Sequence, residues 1–495
     1  MTMSAMSRSA GAAIPAPLEA ESMTGAGKVV ADKGASGDKA RIFYRNGAVS
    51  KQIVVPSGAS ANTVLVRARG EACSGAPRMI VSLDGRRVMS RLVYARKWTQ
   101  YSAGVRLAEG SHDLKVAFTN DAMKPRCDRN LVVDKLSFVE AQDAVVRRNI
   151  SELEGFTGWL ERENARGYVG EVGWSNDLQR GFGDAARWNA VAEKWYRKAD
   201  AANLWVTVWG VDERQRWGGF WLSAYTSAGD GSVRPISKPQ AQASVLEAHP
   251  TTDSYKRGVN VSGAEGTAEG FSNRRPGVYG QDYWYASQET FDYLASRGIK
   301  VVRLPFRWER VQPALGGPLD STELARLKEC VRRAESSGIR VVLDVHNYGG
   351  YKLHDPATGV GLERKIGSGY VNQADLADFW DRLSAEFKDD GAVLAYGLMN
   401  EPSNMPSSSS GKAPARVWEE ASQAAVDAIR GNDDGKLVMV PGYQYSGMWA
   451  WTTNHPDKWI TDSANNHMYE AHQYFDGNRS GYYRDPYSVE VKNQG

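Results

Sequence analysis

At 495 residues the chain is too long for one ordinary core, and a prior of roughly 100–200 residues per domain points to two domains. Basic and acidic residues number 61 and 58, interspersed to a formal charge of +3, which argues against nucleic acid or an anionic membrane and for a neutral partner. No apolar run approaches the roughly 20 residues that span a bilayer, and residues 1–17 are small, polar and loop-like without the apolar centre of a signal peptide. Either an export signal has been removed, giving a secreted protein, or the protein is cytoplasmic.

From Leu18 to about residue 140, short alternating runs at 51–55, 63–69, 78–83, 90–94, 113–118 and 131–138 are separated by turns. Period-2 patterning at this spacing predicts an all-β sandwich, with Asp84-Gly85 as a hairpin turn. Cys73 and Cys127 fall in loops between strand-like runs, whereas Cys330 falls in a helical one. A Cys73–Cys127 disulfide and a buried free Cys330 thiol are expected.

Carboxylate and amide oxygens gather at both ends of this first domain. Glu19-Ala-Glu21 opens it, and Asn120-Asp121, Asp128-Arg-Asn130 and Asp134 close it. Hard oxygens on sandwich loops suit calcium, which takes about six to eight of them, although turn and edge residues look the same in sequence. With Phe118-Thr-Asn-Asp121 and Cys127-Asp-Arg-Asn-Leu-Val-Val-Asp134, the domain resembles the calcium-dependent xylan-binding carbohydrate-binding modules. That resemblance implies two calcium sites. Glu19, Glu21 and Asp134 would form a structural one, and Asp121 and Asp128 would hold an exposed ion completed by a sugar's vicinal hydroxyls.

Residues 141–495 give eight apolar runs, at 167–174, 203–210, 258–263, 299–306, 339–346, 393–401, 436–442 and 467–475. Amphipathic patterns lie between them, among them 184–202, 322–337, 373–387 and 415–430, with Gly298, Gly338 and Gly431 as C-terminal caps. Eight strands alternating with helices predict a (β/α)₈ TIM barrel, whose chemistry gathers at the C-terminal strand tips. Those tips carry Glu171, Trp209, Arg303, His346-Asn347, Asn400-Glu401, His472 and Tyr474. Fifteen of the 16 tryptophans follow residue 150, and wide aromatic faces suit sugar rings as well as cores.

The stretches Val302-Arg-Leu-Pro-Phe306, Leu343-Asp-Val-His-Asn-Tyr348, Tyr396-Gly-Leu-Met-Asn-Glu-Pro402, Ala471-His-Gln-Tyr-Phe-Asp476, Gly170-Glu-Val-Gly173 and Val208-Trp-Gly210 resemble glycoside hydrolase family 5, the cellulase-like retaining β-glycanases. In that family the strands bearing the nucleophile and the tryptophan come last, whereas here they come first. The resemblance therefore implies a circular permutation, with the old ends joined through 223–256 and a helix at 238–249. It further implies Glu401 as acid/base, Glu171 as nucleophile, Arg303 and Tyr474 as donors to Glu171, and Asn400 as donor to a sugar 2-hydroxyl. His346 and His472 would orient sugar and carboxylates, and Trp209 would form the stacking floor.

Asn347, Tyr348, Trp308 and Trp217 are candidates for outer subsites. The whole reads as a secreted, monomeric two-domain endo-β-1,4-glucanase without a catalytic cofactor. Xylanase or mannanase action is the near alternative, and a non-catalytic polysaccharide binder the distant one.

Overall fold

The computed structural model describes residues 17–494 except 56–60, 108–109, 140–143, 177–181, 215–219 and 228–231, so Trp217 lies outside the described residues. The chain divides into two compact units, 1–142 and 143–495.

Unit 1 is a sandwich of two antiparallel sheets. One runs Lys28–Ala31, Lys39–Phe43, Asn130–Val139, Ala61–Glu71, Thr99–Leu107, with Leu18–Glu19 also on Asn130–Val139; the other runs Thr24–Gly25, Gly47–Val55, Gly110–Phe118, Arg78–Leu83, Arg86–Leu92. Alternate residues such as Val64, Val66, Val81, Leu114, Val116 and Phe118 fill the space between the sheets. Asp84 and Gly85 both have positive φ, of 48° and 76°, the type I′ turn that suits a two-residue hairpin.

Three strands carry no clear alternation in sequence: Lys28–Ala31, Lys39–Phe43 and Thr99–Leu107. Lys39–Phe43 is buried at four successive positions because Arg41 is itself interior, donating to the carbonyls of Ala20, Glu21, Met23 and Ala26. Cys73 and Cys127 are disulfide-bonded, with Cα atoms 5.4 Å apart, and Cys330 is a buried free thiol.

Unit 2 is a closed barrel of eight parallel strands: β1 (Gly167–Gly173), β2 (Trp205–Asp212), β3 (Arg257–Ser262), β4 (Val301–Phe306), β5 (Arg340–Val345), β6 (Val393–Gly397), β7 (Leu437–Pro441) and β8 (His467–Tyr474). Neighbours in sequence are neighbours in the sheet, and β1 pairs with both β2 and β8, closing the ring. Four of the eight strands are buried at every position, because side chains fill the barrel on one face and helices cover the other.

Gly298 and Gly338, at φ 83° and 69°, follow Gln288–Ser296 and Ser321–Ser336 as expected of C-terminal caps. Gly431 differs. It is the last helical residue of Pro414–Gly431, and the left-handed position falls on Asp433. The helix expected over 238–249 is shorter, Ala243–Ala248, because Lys238–Pro239 pairs as a strand with Tyr225–Thr226. No helix among the described residues is long and apolar enough to cross a membrane.

Candidate active site

The barrel brings Glu171, Arg303, His346, Asn400, Glu401, His472 and Tyr474 together because each lies along a barrel strand or just past its tip. Arg303 on β4 is the hub. It is fully buried, and one terminal nitrogen donates to Glu171 Oε1 and Asn260 Oδ1, each at 2.9 Å. The other donates to Asn400 Oδ1 at 2.8 Å and lies 2.9 Å from Asp344 and 3.2 Å from Glu470. Burial alone would lower the Arg303 pKa, but Asp344, Glu470 and Glu171 surround the guanidinium and push it above its ordinary value.

Room for this cluster comes from Gly170. A Cβ there would stand 1.9 Å from Glu470 Oε1 and 2.8 Å from His472 Nε2, so only glycine lets β1 pass so close to β8. Glu171 then receives three cationic or polar neighbours. Arg303 holds Oε1, Tyr474 Oη donates to Oε2 at 2.6 Å, and His472 Nδ1 lies 3.7 Å from Oε2. Burial pushes its pKa up, yet His472, Arg303 and the Tyr474 hydrogen bond outweigh it and hold this carboxyl below the usual carboxylate range.

Glu401 goes the other way. Burial and the charge of Glu171 raise its pKa despite the hydrogen bond from His472, and its backbone is left-handed at φ 44°, a conformation non-glycine residues adopt only when surroundings impose it. His472 sits between the two carboxyls. Its Nδ1 is 2.9 Å from Glu401 Oε1 and its Nε2 3.1 Å from Glu470 Oε1. Burial opposes its charge, but Glu171, Glu401 and Glu470 together push the pKa up to about 10, so both ring nitrogens donate near neutrality.

His346 is held by Asp344 through Nδ1 at 2.8 Å, and its Nε2 accepts from Asn400 Nδ2 at 3.2 Å. Trp209 stacks on that imidazole, with ring centres 5.5 Å apart at 25°, and the Trp209–Gly210 peptide is cis. Two carboxyls with pKa values driven apart, beside a fixed cation and a flat aromatic wall, form an acid and a base facing one cavity of about 570 Å³.

Residues 253–494 match the family model "Cellulase (glycosyl hydrolase family 5)". The barrel unit belongs to glycosyl hydrolase family 5. Endo-beta-1,4-glucanase B of Aspergillus niger is 30% identical over 226 residues, covering 45% of this chain and 60% of that protein, so the chain spans less than two thirds of such relatives. A manganese dependent endoglucanase, Eg5A, of Phanerodontia chrysosporium is 26% identical over 57% of this chain and 73% of its own. A solved triple mutant of an endo-beta-1,4-glucanase from Xanthomonas axonopodis pv. citri is 36% identical over 48% of this chain and 72% of that one, with a TM-score of 0.40. Residues 63–149 match "Ca-dependent carbohydrate-binding module xylan-binding".

The cavity of the family 5 unit is walled by aromatic side chains beyond those expected from sequence. Trp209 and Tyr348 line it together with Trp221, Tyr445, Trp449 and Tyr482. Trp221 stacks on Tyr482 at 6.1 Å and donates to Gly481 O, while Arg479 lies over Trp449 and ion-pairs with Glu152 at 2.6 Å. Loop aromatics carry no periodic signal, so sequence reading does not single them out. Glu470 and Asp344, in contrast, lie two residues before His472 and His346, on the same strand face, and that parity was available.

Two of the proposed outer-subsite residues lie elsewhere. Trp308 is fully buried against Tyr351 and Phe379, and Asn347 is buried with its amide on Glu309.

In unit 1, Glu19 Oε2, Glu21 Oε2, Asp121 Oδ1, Asp128 Oδ1 and Asn130 Oδ1 are buried oxygens without a hydrogen-bond partner. Orphaned buried acceptors on neighbouring loops are what a hard cation satisfies, and Asp121, Asp128 and Asn130 fit calcium on this count. Asp134 fits less well. It is fully buried, with one oxygen accepting from Ser36 N at 2.8 Å and the other paired with Arg67, so a guanidinium already neutralises it.

Proposed function

We propose that the protein is an endo-β-1,4-glucanase that cleaves with retention of configuration and carries a calcium-dependent sugar-binding module. One observation carries the catalytic reading. Ligating atoms of Glu171, Glu401 and His472 all lie within 4.8 Å of one another, so the carboxyls are near the roughly 5–5.5 Å of a retaining pair and short of the 6.5–9.5 Å that leaves room for an inverting water.

Glu171, kept ionised by Arg303 and Tyr474, attacks the anomeric carbon to give a glycosyl ester. Glu401, whose pKa is raised by burial and by Glu171, delivers a proton to the leaving oxygen. In the second step Glu401 takes a proton from water, which opens the ester and returns both groups to their starting states. Asn400 donates toward the sugar 2-hydroxyl and Trp209 supports the ring being cleaved.

The same triad of Glu171, Glu401 and His472 has the spacing of a cation site. Protein donors already engage both Glu171 oxygens and one Glu401 oxygen, which favours proton chemistry over ligation here.

We read the barrel as circularly permuted within its family. The family match begins at residue 253, yet β1 and β2, which precede it and bear Glu171 and Trp209, close the ring. The xylan-binding description of the first unit's family favours one second reading, xylan as the chain that is cut.

The test is Glu401→Gln on carboxymethyl cellulose, mixed-linkage glucan, xylan and mannan. Turnover of the preferred glycan should fall by about 10²–10⁴-fold with binding retained, and hydrolysis at the parent's rate would remove the assignment. Calcium at Asp121, Asp128 and Asn130, and at Glu19 and Glu21, is tested by chelation. Loss of polysaccharide binding and a lower melting temperature for the first unit are expected, and no change in either refutes it.

A further inference from the structure

Just past β7, the segment 443–447 forms a tight turn with three successive non-glycine residues in the left-handed region: Gln444, Tyr445 and Ser446, at φ 66°, 60° and 51°. Such a run costs backbone energy and persists only where contacts over-determine it. The contacts here lead to the acid arm. Gln444 N and Tyr445 N both donate to Pro402 O, at 2.8 and 3.2 Å. Met405 N donates to Tyr443 Oη at 3.3 Å, and Asn404 Nδ2 to Tyr445 Oη at 3.0 Å. On its other side, Ser446 O accepts from His472 N at 2.7 Å. The turn therefore joins the segment after Glu401 to the backbone of the histidine that holds Glu401.

Two neighbouring side chains outside the cavity grip this turn: Asn454 Nδ2 donates to Tyr443 O at 3.4 Å and to Gln444 Oε1 at 3.2 Å, and His455 holds a main-chain N–H. Tyr443 N donates to His455 Nε2 at 2.8 Å, and His455 Nδ1 lies 2.8 Å from Glu419 Oε1. An acceptor at Nε2 requires the proton at Nδ1, so Glu419 selects the tautomer that can bind the turn. Arg416 pairs with the same carboxylate, Trp459 stacks on the imidazole at 4.1 Å and 23°, and His455 is fully buried. Burial lowers its pKa despite Glu419, which keeps it neutral. For packing alone, an apolar ring would serve; the polar relay from Glu419 through His455 to a main-chain N–H is what an apolar ring could not supply.

We propose that His455 is a positioning residue for the acid/base: with Glu419 it holds the 443–446 turn, and through Pro402 and His472 that turn holds Glu401 in its left-handed setting. This rests on the role given to Glu401 above. His455→Ala should lower kcat on the preferred glycan at least tenfold with KM within about twofold. It should also move the basic limb of the kcat/KM profile, which reports proton loss from Glu401, by half a pH unit or more.

His455→Gln keeps an acceptor near the Nε2 position and should restore most of both. Should His455→Ala not fold, Glu419→Gln, which removes the charge fixing the tautomer, is read in the same way. A carbon-13 titration of the Glu401 carboxyl gives the same answer without substrate: a shifted pKa in the variant supports the proposal even if the parent hydrolyses none of the glycans. A lower melting temperature with unchanged kcat, basic limb and Glu401 titration overturns it, as does a Gln variant no better than Ala.

Discussion

Replacing Tyr474 with Phe removes one hydroxyl and leaves the ring. In the parent, that hydroxyl donates to Glu171 Oε2 at 2.6 Å, while Arg303 serves Oε1 and His472 stands 3.7 Å away. A hydrogen bond to a charged group contributes about 1.5–3 kcal/mol. At about 1.36 kcal/mol per pKa unit, its loss should raise the Glu171 pKa by about 1–2 units. Water entering from the cavity replaces part of the bond and favours the lower figure.

The sign follows from the direction of the shift. The Glu171 pKa is depressed in the fold, so its ionised form is present above that depressed value and is lost as pH falls through it. Raising the pKa moves the acid limb of kcat/KM toward neutrality, and activity at pH 4–5 should suffer more than activity at pH 7. Initial rates on a soluble β-1,4-glucan across pH 3–9 measure this. An acid limb that stays in place, whatever the overall loss, would show that Tyr474 does not govern the ionisation of Glu171.

Three further outcomes follow from the same structure. Gly170→Ala puts a methyl 1.9 Å from Glu470 Oε1 and should cost about 1–3 kcal/mol of stability together with most of the activity; calorimetry and rate measurements check it. His472 has its pKa raised from 6.5 to about 10. Its stabilising contribution is thus complete below about pH 6.5 and lost as pH rises through about 10, so His472→Gln should flatten the alkaline decline in melting temperature. Reducing the Cys73–Cys127 bond, whose ends are 54 residues apart, removes about 4 kcal/mol by loop entropy. The melting transition of the first unit should fall by roughly 10–20 °C.

The barrel and the strand-tip residues were legible because parallel strands buried on both faces read as apolar runs, and a polar residue at the end of such a run has no structural excuse. Asn400 stood out for that reason. Glu470 and Asp344 were passed over although they share strand parity with His472 and His346, since a carboxylate in mid-strand looks like an interruption until the guanidinium it faces is known. His455 and Glu419 were hidden differently. His455 meets the main-chain N–H of Tyr443 across 12 residues and Glu419 meets the His455 ring across 36, and no local pattern encodes those meetings. In the first unit, Arg41 masked a strand because a charge among apolar residues breaks the alternation.

The seam where β1 meets β8 has a consequence for how the barrel unit comes into being. It joins residues some 300 positions apart, Gly167 to Tyr469 and Glu171 to His472, and the reactive pocket straddles it. A ribosome-bound or truncated chain lacking the last strand would hold Glu171 without Tyr474 or His472 to tune it. Hydrolytic competence should therefore switch on in one step when the ring shuts, and because such distant pairing makes closure slow, the lag before activity during refolding should report the final stitch.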